Sequence, residues 1–137
     1  MLRAFSYLLW AVPLAFVLTT SSCSRSELSG KTHEEMVAEG HKLYERNDCG
    51  KCHGPKGHGD GPTTKTVHFS PRDFRDASAF VNGYSVDRIA RTIGTGVGSG
   101  DQSMPSYSSL SKDDRKLLAV FVMSLREDSE SVKEKAE

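Results

Sequence analysis

Cys49-Gly50-Lys51-Cys52-His53 is the stretch on which the reading of this chain turns: two thiols three positions apart, followed at once by an imidazole. That order is the pattern of covalent haem attachment. Each thiol can add across one vinyl group of the porphyrin, and the adjoining histidine is then held beneath the iron as an axial ligand. Two rival chemistries use the same residue types. A redox-active dithiol wants a βαβ surround and a cysteine at a helix start, whereas this pair is expected at a helix end with a glycine-rich loop behind it. Structural zinc wants four soft or imidazole ligands, normally as two spaced pairs. Cys49, Cys52, His53 and His58 can be counted to four, but His53 is fused to Cys52 and no second pair exists.

Upstream of the motif, Thr32-His33-Glu34-Glu35 reads as a capping box, and Met36, Val37, Gly40, Leu43 and Tyr44 recur at helical spacing. The first helix is therefore predicted to run to about Asn47 and to deliver the motif at its C-terminal end. Downstream, glycines and prolines punctuate Gly54 to Pro71 and predict a loop along one side of the ring. Asp73 to Phe80 is ambiguous, with room for a short helical turn. Ser85 reads as the N-cap of a short helix whose apolar face is Val86, Ile89, Ala90 and Ile93, ended by Gly94 and Gly96. A second loop, Gly94 to Tyr107, carries Met104. Ser111 with Asp114 opens the last helix, whose stripe is Leu117, Leu118, Phe121, Val122 and Leu125. No strand pattern and no internal repeat competes.

The ends of the chain carry no core. Arg3, an apolar run from Leu8 to Leu18 and the small residues Thr19 to Ser22 have the order of a secretory leader, 1–22, and the run is shorter than the roughly 20 residues that span a bilayer. Small residues ahead of Cys23 resemble a lipobox, although Thr20 stands where leucine is usual. With Cys49 and Cys52 taken by haem, a spare exported thiol at Cys23 is best explained by lipidation. Residues 23–31 then form a tether, 32–127 the folded domain, and 128–137 a charged flexible tail.

The 137 residues hold 18 basic and 18 acidic side chains, and losing Arg3 with the leader leaves about −1. No basic block interleaved with aromatics is present, so nucleic acid is not an expected partner. With only 36% hydrophobic residues, a small polar domain gains much from burying a large apolar cofactor.

The order helix, CxxCH, glycine-rich loop, short helix, Met-Pro loop, capped helix resembles class I cytochrome c from about Glu34 to Arg126. The matches are Gly40 and Tyr44 before Cys49, the run His53 to Pro62, and Met104-Pro105. The resemblance implies an all-α fold of about four helices around one covalently bound haem c, with the first and last helices crossing where Gly40 meets Phe121. It implies His53 as iron ligand through Nε2, with a proline carbonyl on its other nitrogen, that of Pro62 or, failing that, Pro71. It implies Met104 as the sixth ligand, since Met1 lies in the leader and Met36 and Met123 sit on helices as core residues. His68 is the runner-up; His33, His41 and His58 are read as solvated. Arg72, Arg88 and Arg91 are candidate propionate partners, and Trp10, the only tryptophan, leaves with the signal.

The function so implied is single-electron transfer between redox proteins outside the cytoplasm, by a carrier that is not an enzyme and is held to a membrane by lipid. Two alternatives stay open: a haem subunit fixed in a larger membrane-associated oxidoreductase complex, and an open-site haem protein that binds ligands.

Overall fold

A computed structural model of the chain describes residues 28–66, 70–100 and 103–134. The leader 1–22, Cys23 and most of the tether, with Trp10 and His68, lie outside the described residues. The end of the expected tether is not loose: Lys31 N–H donates to Leu28 O, Lys31 Nζ pairs with Glu39 at 2.6 Å, and Leu28 packs against the core.

Among the described residues four α-helices occur in order: α1 (His33–Arg46), α2 (Gly50–His53), α3 (Val86–Thr95) and α4 (Lys112–Glu134). Short 3₁₀ turns cover Pro62–Lys65 and Ala77–Ala79. Among the described residues there is no strand, only an isolated antiparallel bridge between Val97 and Met104.

Local chemistry explains where the helices start. Thr32 Oγ1 accepts from Glu35 N–H at 3.2 Å and Thr32 N–H donates back to Glu35 Oε2 at 2.8 Å, a full capping box. On α4, Ser111 Oγ accepts from Asp114 N–H at 3.0 Å, but the shorter Asp114 carboxylate bonds the Ser111 hydroxyl. Ser85 takes the N-cap position of α3 with no side-chain bond. The attachment motif is not the tail of α1. Asp48 adopts a left-handed backbone, φ +58°, which breaks the helix after Asn47, and the motif then winds its own turn as α2.

α4 continues to Glu134, past the point where the tail was expected to begin. The Glu and Lys of that segment are good helix formers, and extending a nucleated helix costs far less than starting one.

The core forms where α4 lies across α1 and α3. Leu43, Tyr44, Ile89, Ile93, Leu117, Leu118, Phe121 and Val122 are buried in it. α1 comes so close to α4 that a Cβ on Gly40 would strike the Leu117 carbonyl and lie 2.8 Å from Phe121 Cβ. Only glycine permits that crossing. Tyr44 and His41 both rest on the Phe121 ring, at centroid distances of 5.1 and 4.8 Å. Met36 and Met123 pack at the core edge, as expected of helical methionines.

Candidate haem site

α2 ends with carbonyls that no helical amide can reach, and the following loop supplies the donors. Gly59 N–H bonds His53 O at 2.9 Å, Gly61 N–H bonds Cys52 O at 3.1 Å, and Thr63 Oγ1 bonds Lys51 O at 2.5 Å. Tyr44, buried under the motif, donates its hydroxyl to Gly54 O at 2.6 Å, and burial pushes that phenol well above its usual pKa. The punctuated loop is thus a cap on α2, and α2 is a rigid mount for three reactive side chains.

Those side chains, Cys49, Cys52 and His53, line one apolar cavity of about 320 Å³. Met104 lines the same cavity, brought there from the second loop. Most of the lining is apolar, including Phe74, Phe80, Ile89, Ile93, Leu118 and Val122.

Met104 is set by backbone bonds rather than by a helix. Val97 and Met104 exchange N–H···O bonds of 3.0 and 2.9 Å across the bridge. Tyr107 N–H then reaches Ile93 O at 3.0 Å, and Ser106 Oγ donates to Gly94 O at 2.6 Å. The loop is clipped to the C-terminal end of α3, whose last carbonyls need partners in any case.

Neither Cys49 nor Cys52 is in a disulfide. Burial raises the Cys49 thiol to about 11, whereas a reactive dithiol needs a depressed value. Among the described residues no group of three or more His, Cys, Asp or Glu is assembled that could hold a metal ion, so the four-ligand set counted for zinc is not formed.

His53 is held below its ordinary pKa, first by burial, so the ring is neutral near pH 7. Its Nδ1 lies 3.4 Å from Arg72 O. A carbonyl can only accept, so Nδ1 carries the proton and Nε2 keeps its lone pair. The acceptor is therefore not Pro62. That residue is exposed at the head of a 3₁₀ turn and does not line the cavity; the loop reaches it while Gly59 and Gly61 N–H hold the loop against the α2 carbonyls. Pro71, the alternative, is the neighbour of the residue that does accept.

Arg72 also lines the cavity, with a guanidinium nitrogen on Ala79 O. Arg88 and Arg91 line an adjoining polar groove instead, and Arg88 Nη1 donates to Asn82 O at 3.2 Å. Among the cavity residues to which the sequence assigns no role are Phe74 and Phe80. They sit in the ambiguous stretch after Pro71, where no periodicity marks them; aromatic content inside a punctuated loop is the one available signal.

The donor set and cradle fit a covalently attached haem: two thiols and a neutral imidazole on one short helix, a thioether on a clipped loop, and an apolar enclosure. Comparison with known proteins agrees. The family described as Cytochrome c matches residues 37–126. No curated protein matches the chain. Among solved structures, a chain of the Kuenenia stuttgartiensis reducing HAO-like protein complex Kustc0457/Kustc0458 is similar, with a TM-score of 0.58 and 35% identity over 67% of this chain. The match spans 44% of that longer chain.

Proposed function

The chain belongs to the cytochrome c family and carries covalently bound haem c, and from that premise we propose that it is an exported one-electron carrier whose iron is held by His53 and Met104. The observation that carries this reading is the meeting of Cys49, Cys52, His53 and Met104 on one apolar cavity. When bound, haem c supplies the one-electron couple of its iron. Everything else falls to the chain. Cys49 and Cys52 hold the group by thioethers, and α2 keeps their spacing. His53, neutral and protonated on Nδ1, offers Nε2 without a competing proton. Met104 offers a soft, uncharged ligand that favours the reduced state and fills the position that water or oxygen would take. The apolar lining keeps the charge change out of solvent.

Absorption spectra of the oxidised and reduced protein test this, through the weak thioether-to-iron band of the ferric form. Carbon monoxide should perturb the reduced spectrum only weakly. Strong binding would remove Met104 from the iron and favour the open-site reading.

Export and anchoring belong to the same proposal, supported by the order of Arg3, the apolar run and the small residues ahead of Cys23. Labelled palmitate should enter the wild type and not Cys23→Ser. A second reading is favoured by the 35% identity to a chain of a protein complex: a haem subunit fixed to a larger oxidoreductase. Migration with a larger enzyme on native gels after detergent extraction would establish that reading against the free carrier.

A further inference from the structure

One segment touches the His53 ring twice. Arg72 O faces Nδ1 at 3.4 Å, and two residues on, the Phe74 ring stacks on the imidazole with centroids 4.5 Å apart and planes 26° from parallel. The two contacts constrain different motions. A hydrogen bond at the ring edge fixes which nitrogen is protonated, but at 3.4 Å it lies beyond the roughly 2.7–3.2 Å of a firm N–H···O bond and resists rotation weakly. A phenyl laid on the ring face opposes that rotation directly.

Phe74 is itself well held. It is buried at 7% exposure, and its N–H donates to Gly57 O at 2.7 Å. Its ring lies 5.9 Å from Phe80, and Phe80 meets Tyr84 edge-on at 5.0 Å. Tyr84 is fixed to the last helix, its hydroxyl 3.3 Å from Met123 O and the Arg126 guanidinium 5.3 Å over its ring. A row of rings thus runs from the imidazole to α4.

We propose that Phe74 is a positioning residue that sets the plane of the His53 imidazole about its bond to iron, with the Phe80–Tyr84 row tying that plane to α4. The inference rests on His53 being the axial ligand. Ring plane matters because the imidazole π orbital overlaps one or the other iron d orbital according to its angle. The unpaired electron of the ferric state, and so the magnetic anisotropy, follows that angle.

The test uses the ferric holoprotein and three variants, Phe74→Leu, Phe74→Tyr and Phe80→Leu. Proton NMR reads the spread of the haem methyl resonances and the contact-shifted His53 ring protons; frozen-solution EPR reads the g-values. Phe74→Leu should change the methyl spread and the g-values. Phe74→Tyr, which keeps the ring, should give the wild-type pattern, and Phe80→Leu, which removes the next ring of the row, should change them less than Phe74→Leu. An unchanged pattern in Phe74→Leu overturns the proposal and leaves His53 as ligand, and an unchanged pattern in Phe80→Leu overturns the tie to α4. Absence of contact-shifted His53 protons in the wild type overturns the ligand assignment and the proposal together. Should Phe74→Leu fail to mature, the wild type decides alone: an imidazole plane near that of Phe74 supports the proposal, and one roughly perpendicular to it overturns it.

Discussion

The two walls of the haem cavity are built in different ways. On one, Cys49, Cys52 and His53 follow one another on a single turn of helix whose carbonyls are capped by the next loop. On the other, Met104 arrives on a loop fastened to the end of α3 by the Val97 bridge, Tyr107 N–H and Ser106 Oγ. The first wall is contiguous in sequence and, with haem attached as proposed, would be made permanent by covalent bonds. The second is assembled from residues that meet only when α3 and the loop have folded. Damage to the first should therefore be all-or-none, and damage to the second graded.

The largest effect is expected at Cys52. In Cys52→Ala one thioether cannot form, and the second must hold the group alone on a helix built for two. Maturation is expected to yield little holoprotein, and the haem that does attach should keep one unsaturated vinyl group, which moves its pyridine haemochrome band to longer wavelength. A wild-type yield with the two-thioether haemochrome would remove Cys52 from the attachment and undo the first half of the comparison.

Met104→Ala comes next. Attachment should survive, because nothing on α2 changes. The potential should fall by a fraction of the roughly 0.8 V over which axial ligands move haem couples, and carbon monoxide should bind the reduced protein readily. Redox titration and gas binding check the two halves separately, and unchanged behaviour in both would reject Met104 as ligand.

The same contrast explains what could be read from the sequence. The first wall is legible because its information is local: CxxCH, the Thr32 cap, the Gly40 and Phe121 pairing and the α4 stripe each act over neighbouring residues or one helix face. Met104 is legible as a candidate from its place before Pro105 and from family resemblance, yet the Val97 bridge that sets it has no strand pattern to announce it. The acceptor on His53 was misassigned to Pro62 for the same reason. Which carbonyl reaches Nδ1 depends on the path of the loop between His53 and Arg72, and that path is decided by α2 carbonyls claiming Gly59 and Gly61 N–H. Phe74 is not legible because stacking on the His53 ring is a tertiary contact made from an irregular segment.

Gly96→Ala should strain the second wall without touching a ligand. Gly96 has φ +75°, and a Cβ there would lie 2.6 Å from Met104 O and 3.0 Å from Ser106 N. Left-handed backbone at a non-glycine residue costs about 1–3 kcal/mol, and the clash adds to it. We expect a lower midpoint of thermal unfolding together with a weaker thioether-to-iron band. A weaker midpoint with an unaltered band would show that the clip does not govern Met104.

The smallest and sharpest test pairs two hydroxyls that do the same job on opposite walls. Ser106 Oγ donates to Gly94 O at 2.6 Å near the end of α3, and Thr63 Oγ1 donates to Lys51 O at 2.5 Å in α2. Each hydrogen bond is worth about 0.5–1.5 kcal/mol, so Ser106→Ala and Thr63→Ala should lower stability to a similar extent by denaturant unfolding. Their effect on the iron should differ. Ser106→Ala loosens a loop whose hold on Met104 is entirely non-covalent, and ligand entry at the iron, followed as the rate of carbon monoxide or imidazole binding, should quicken. Thr63 Oγ1 also lies 3.1 Å from Cys52 Sγ, but the proposed thioether would fix that sulfur whether or not the hydroxyl is present, so Thr63→Ala should leave the rate alone. Equal acceleration in both variants would mean that the covalent wall yields as readily as the clipped one.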